Sequence, residues 1–240
     1  MTSLITFGCS WTYGVGSHYI NGMEKNEFMD NAWYKDTCNS NSFRGLISKK
    51  FNYKNINFSV GGSSNQEQFH KAQDFFPSVP NNDDIIVLWG ITSLYRYEFY
   101  DSVEKKWRSY FLNDANSASK IILKKHFDEN AEIERLEKQI IFFNDYFKNK
   151  GITNYWFNTF NYHLFQKQIK NLLFDGKDLL SILINDFEPN DQYHLSTWYD
   201  PDRKIQKAKE LGLVNPFTLH PTQQAHQILA DVFEKELKLK

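Results

Sequence analysis

Two cysteines in 240 residues, Cys9 and Cys38, are too few for a disulfide framework. Neither stands in a CxxC or Cys/His cluster of the kind that holds zinc. A basic excess is missing as well: 28 Lys and Arg face 29 Asp and Glu, for a net charge of −1. Proteins that neutralise nucleic-acid phosphates carry such an excess, so no nucleic-acid partner is expected. No apolar run approaches the ~20 residues that cross a bilayer, so no membrane span is expected either. The start, MTSLITFGCS, has no basic region and no long apolar core, so no secretion signal is read and the cytoplasm is the expected location. The glycine loops GxxxxGK(S/T) and GxGxxG are absent, which leaves a flavodoxin-like nucleotide site a weak reading. With no internal repeat and no low-complexity linker, residues 1–240 are expected to form a single domain.

Apolar residues are plentiful at 41 %, and aromatics reach 17 % with 21 Phe and 13 Tyr, enough for a large, ring-rich core. Four apolar runs predict buried strands: LITFG at 4–8, NINFSVGG at 55–62, DDIIVLWG at 83–90 and TNYWFNTF at 153–160. Their lack of polar alternation suits parallel strands covered on both faces. Between them lie helical patterns at 40–52, 63–76, 128–151 and 220–240. The third is the most regular, with Ile133, Leu136, Ile140, Phe143 and Phe147 on one face and Gly151 at its end. Strands alternating with helices predict an α/β class with a mostly parallel central sheet of about five strands. Residues 91–127 read as an aromatic-rich insertion and residues 161–215 as a long loop region.

Three strand ends then fall on one rim, where open parallel sheets bind ligands. They deliver Gly8-Cys9-Ser10-Trp11-Thr12, Gly61-Gly62-Ser63-Ser64-Asn65 and Gly90-Ile91-Thr92-Ser93. Far along the chain, His220 stands just before Pro221 and the last helix. A serine on a turn, glycine N–H groups and a histidine are the parts of acyl transfer: the imidazole takes the hydroxyl proton and the N–H groups hold the oxyanion. Each part also has a plainer use. Ser10 suits a helix N-cap, and Gly61-Gly62 suits a tight turn. Thr92 suits a hydrogen bond within its loop. Arg96 suits a surface ion pair with Glu98 as well as a substrate clamp. His163 and His194 suit cleft-wall packing, His226 a structural place, and Cys9 the core.

The order of these motifs resembles the SGNH (GDSL-type) hydrolase superfamily. The first motif, Gly-Asp-Ser-x-Thr, is similar to Gly8-Cys9-Ser10-Trp11-Thr12, the second-motif glycine to Gly61 or Gly62, and the last-motif histidine to His220. In overall look the chain also resembles SGNH-like proteins of tailed phages and marine bacteria. The resemblance implies a three-layer α/β/α sandwich and hydrolysis of an acyl ester on a small molecule, lipid or glycan. It implies Ser10 as nucleophile, His220 as base, and no metal or organic cofactor. The second-motif glycine, Gly62 or Gly61, is the matching oxyanion donor; beside it Thr92 offers a hydroxyl, and Arg96 a cationic clamp in place of the missing amide.

Three positions depart from that pattern. Cys9 replaces the first-motif Asp, and Thr92 stands where the third motif, Gly-x-Asn-Asp, places its asparagine. Phe217, three residues before His220, replaces the triad acid, which leaves Asp200 or Asp202 in WYDPDR as substitute candidates. Loss of the acid lowers kcat by orders of magnitude without removing all catalysis. The competing expectation is therefore a catalytically impaired SGNH fold that binds a glycan or a protein.

Overall fold

The computed structural model describes residues 1–31, 34–80, 84–111, 125, 127–159, 163, 165–186 and 203–238. In chain order the elements are β1 (Ser3–Phe7), α1 (Ser10–Tyr13), α2 (Lys25–Asn31), α3 (Lys35–Asn41), α4 (Phe43–Phe51), β2 (Lys54–Asn57) and α5 (Asn65–Phe75). There follow β3 (Ile85–Ile91), β4 (Arg96–Asp101), β5 (Lys106–Phe111), α6 (Glu129–Lys150), β6 (Thr153–Asn158), α7 (Leu179–Ile184), α8 (Arg203–Glu210) and α9 (Gln223–Leu237).

The four expected strands pair in parallel in the order β2-β1-β3-β6. Among the described residues the sheet has these four strands, against the five or so expected. Beyond β6, among the described residues, two isolated parallel bridges form, Trp156 to Leu172 and Asn158 to Asp178. Successive strand residues serve opposite faces. Leu4, Leu88 and Phe157 join one core with α4, α7, α8 and α9, while Ile5, Phe7, Val87, Trp89 and Trp156 join the other with α5 and α6. Both faces are covered, which is why the strands read as continuous apolar runs. On the second face the rings stack across neighbouring strands: Phe7 lies 4.5 Å from Trp89, and Trp89 4.8 Å from Trp156. The result is an α/β fold with helices on both sides of a parallel sheet.

Local chemistry sets the helix ends. The pattern at 40–52 is two helices, because Ser42 breaks it and caps α4 by accepting from the Gly45 N–H. Ser64 caps α5, Asp128 caps α6 and Thr222 caps α9, so α9 begins three residues later than expected. The insertion at 91–127 contains a β4–β5 hairpin. The region 161–215 is not all loop: it holds α7 and α8. The apolar run LLSILI of α7 is too short to display a helical period, though Asp178 caps it.

From β1 the chain crosses to β2 on one side, then returns to β3 on the other. The reversal lies between β1 and β3, and the crevice beyond the carboxyl ends of strands at such a point is where open α/β sheets hold ligands. Ser10 follows β1 by three residues and Thr92 follows β3 directly.

Candidate functional site

Ser10 is the first residue of α1, a single helical turn. It is not a side-chain cap: Cys9 holds the N-cap position, and no side chain caps this turn. As the first helical residue, Ser10 keeps an N–H without an intrahelical acceptor. Its carbonyl receives the N–H groups of Gly14 and Val15 at 3.0 and 3.1 Å. The turn is locked from below by Arg44, fully buried on α4, which donates to the Thr12 carbonyl at 3.1 Å and the Tyr13 carbonyl at 2.9 Å. Cys9 is a fully buried free cysteine, its thiol 3.9 Å from the Thr159 hydroxyl.

The glycine pair sits on a tight turn in which the Ser63 N–H donates to the Val60 carbonyl at 3.2 Å. Gly62 holds φ +78 at the third position, where a side chain would be strained. That turn is tied to the first by the Val60 N–H, which donates to the Gly8 carbonyl at 3.1 Å. Asn65, which the sequence showed only as a strand-end residue, proves to be an organiser. Its Oδ1 accepts from the Thr92 N–H at 2.9 Å and its Nδ2 donates to the Thr92 carbonyl at 3.0 Å. His163 Nε2 lies 3.2 Å from the same carbonyl. Thr92 is fully buried, and its hydroxyl makes no hydrogen bond among the described residues, so the expected bond within its loop is not formed.

His220 comes to this rim on a loop shaped by Asn215. Asn215 Oδ1 accepts from the Phe217 N–H, the Thr218 N–H and the Thr218 hydroxyl, and its Nδ2 donates to the His220 carbonyl. Gly16, six residues after Ser10, packs directly on the loop. A Cβ there would lie 2.5 Å from the Pro221 carbonyl oxygen and 3.1 Å from the His220 Cβ. The loop carrying His220 and the turn following Ser10 are thus in contact, and the two residues are 6 % and 4 % exposed. Phe217, at the place of a triad acid, packs edge-on to Tyr19 and against Phe28, 5.9 and 5.8 Å between ring centres. The position serves an aromatic cluster rather than the imidazole. Asp200, Asp202 and His194 lie outside the described residues.

A further expectation is overturned. Arg96 does not form a surface ion pair with Glu98: it is 2 % exposed and donates through Nη1 to the Ser63 carbonyl at 3.3 Å. Glu98 instead meets His70 of α5, with Oε2 2.5 Å from Nδ1. The reason is strand alternation. Residues 96 and 98 share a face of β4 turned toward the main body, so neither side chain is at the surface, and Glu98 meets α5 there.

Burial dominates the electrostatics. Desolvation, then the Arg96 charge, pull the His220 pKa down to about 3, against the Thr218 carbonyl, which favours the protonated ring. Desolvation and the Arg44 charge bring His226 to about 3, and desolvation brings His163 to about 4. His226 has the structural place expected of it, accepting from the Phe43 N–H at 3.3 Å. These values set a stability prediction. Above the unfolded pKa near 6.5 the histidines are neutral in both states and cost nothing. As pH falls below that, the unfolded chain gains protons that the folded chain refuses, so stability is lost. At about pH 5 the loss is on the order of 1–2 kcal/mol per histidine. Thermal melting across this window is expected to show Tm falling steadily from neutral pH to about pH 5. A constant Tm would contradict the burial of these rings.

No protein-family model matches the chain, and no curated protein does. Among the described residues no helix is long and apolar enough to cross a membrane, and no cluster of His, Cys, Asp and Glu is fit to hold a metal ion. Solved structures do resemble it along nearly its whole length. One is a member of the lipolytic protein G-D-S-L family from Veillonella parvula, at 11 % identity and TM-score 0.46, covering 99 % of each chain. Another is the psychrotrophic esterase EstA from Pseudoalteromonas, at 10 % identity and TM-score 0.47, covering 99 % of this chain and 97 % of that one. A third is the acetyl xylan esterase Est2A from Butyrivibrio proteoclasticus, at 16 % identity and TM-score 0.47, covering all of this chain and 65 % of that one. In the order of its motifs, the chain resembles the SGNH (GDSL-type) hydrolases.

Proposed function

We propose that this chain is a serine esterase of SGNH type that hydrolyses an acyl ester of a small molecule or carbohydrate. The observation that carries the reading is the contact between the turn after Ser10 and the loop of His220, made at the sheet's switch point through Gly16. Ser10 Oγ attacks the ester carbonyl, forming a C–O bond as the carbonyl electron pair moves onto oxygen. His220 takes the hydroxyl proton and returns it to the leaving alcohol as the ester C–O bond breaks. The N–H groups of Ser10 and Gly62 hold the oxyanion. Water, activated by the same imidazole, then attacks the acyl-enzyme and releases the carboxylic acid. With its pKa held down to about 3, His220 starts neutral throughout the usual assay range, but as a weaker base than one poised near the assay pH.

A second reading rests on one observation. The buried cation of Arg96 acts on His220. A cation opposes the imidazolium that forms during attack, so the same site suits a binding module for an anionic glycan or protein group. Turnover decides between the two. The esterase reading expects hydrolysis of p-nitrophenyl acetate and release of acetate from acetylated sugars by the wild-type chain. Absence of turnover on both, with binding of an anionic glycan, would put the binding module in its place.

A further inference from the structure

The strand end that supplies an asparagine oxyanion donor in SGNH enzymes is committed to structure here. Both backbone groups of Thr92 engage Asn65, and the Ser93 hydroxyl accepts from the Tyr95 N–H at 3.2 Å. The chain then turns, the Arg96 N–H donating to the Ser93 carbonyl at 3.4 Å, and the first side chain of β4 comes back to the rim. It touches or acts on three parts of the site. Nη1 of Arg96 is 3.3 Å from the carbonyl of Ser63, the residue after Gly62. The guanidinium meets the side chain of Cys9, the residue before Ser10. Its charge also acts on His220. Arg96 thus lies against the glycine turn and the residue before Ser10, and its charge reaches the base.

We propose that Arg96 is the third oxyanion donor of this site, a charged guanidinium in the role of a neutral amide. The proposal rests on Ser10 acting as nucleophile. A buried cation beside the attacked carbonyl stabilises the developing negative charge strongly, because little water screens it. Burial lowers the proton affinity of the guanidinium, yet an arginine stays charged at the pH of an ester assay. The substitution has a cost that a neutral donor avoids. A full charge also attracts the carboxylate product in the ground state, so the product should inhibit. It further works against the imidazolium, which fits the low pKa of His220.

The experiment compares wild type, Arg96→Gln, Arg96→Ala and Arg96→Lys on p-nitrophenyl acetate, with sodium acetate as product and near-ultraviolet circular dichroism as the check on folding. The expected result is a fall in kcat of about 10²–10³-fold in Arg96→Gln with KM changed far less. Millimolar guanidinium chloride should raise the activity of Arg96→Ala at least tenfold without accelerating wild type. Acetate inhibition should weaken by at least tenfold in Arg96→Gln. If the Gln and Ala variants do not fold, Arg96→Lys decides: it keeps the charge but loses the planar fork, and its kcat should fall tenfold or more. An active wild type whose folded Arg96 variants keep kcat within about threefold, or show no rescue and unchanged acetate inhibition, overturns the oxyanion role and leaves the esterase reading intact. A wild type without turnover overturns both.

Discussion

Ser10→Ala is expected to lower ester hydrolysis by a thousandfold or more while leaving the protein folded. The size follows from the chemistry. Without Oγ no acyl-enzyme forms, and what remains is attack by water in a site that still holds the oxyanion donors. In serine hydrolases with such a unit, loss of the nucleophile removes almost all of the rate, and loss of the base removes a similar share rather than an additional one. Ser10→Ala, His220→Ala and the double variant should therefore show nearly equal residual rates. Folding should survive because α1 is held by other groups: the Ser10 carbonyl, not its hydroxyl, receives Gly14 and Val15, and Arg44 fixes the carbonyls of Thr12 and Tyr13. The checks are steady-state kinetics and a melting curve on each variant. Rates that multiply rather than saturate would mean that the two residues do not act as a unit.

The second large effect falls on stability. Arg44 makes five hydrogen bonds, to the carbonyls of Thr12, Tyr13 and Cys38 and to the side chains of Asn39 and Asn55. It therefore joins α1, α3, α4 and β2 through one buried cation. Burial lowers its pKa to about 10, so it remains charged at neutral pH. Arg44→Met keeps much of the volume and removes every donor. Two buried carbonyls, the part-buried Tyr13 carbonyl and two amide oxygens then lose this donor, each a desolvation penalty of roughly 1–3 kcal/mol where fully buried, reduced where water or a neighbour relaxes in. A net loss of about 4 kcal/mol is expected, which places it among the largest single-substitution effects. Urea unfolding measures it, and a change below about 1 kcal/mol would refute the clamp. Since Thr12 and Tyr13 belong to the turn that presents Ser10, kcat should drop as well, even where the variant remains folded.

Much of this was legible in the chain itself. The strands were visible because both faces of the sheet are covered, leaving each strand a nearly unbroken apolar run. The long helix α6 was visible because its apolar stripe faces only one core. What stayed hidden was of three kinds. Short capped elements such as α7 offer too few residues for a period. The burial of the two arginines was hidden, because nothing in the string YEFY after Arg96 or GLIS after Arg44 shows that a charge faces inward. Polar side chains that serve the backbone, as Asn65 serves Thr92 and Asn215 serves the His220 loop, look like ordinary turn residues. Phe217 is the instructive case. The sequence marks it as a missing acid, and the structure gives it a positive use, as the ring that closes a cluster with Tyr19 and Phe28.

The central claim is that Ser10 is a nucleophile served by His220. A fluorophosphonate that reports covalent modification, followed by mass-spectrometric mapping of the labelled peptide, tests it most directly. One adduct is expected, on Ser10, formed by wild type and absent from Ser10→Ala, with labelling of His220→Ala slowed at least a hundredfold. Labelling that persists in Ser10→Ala, or a folded wild type that takes no label at Ser10 while still hydrolysing esters, would contradict it.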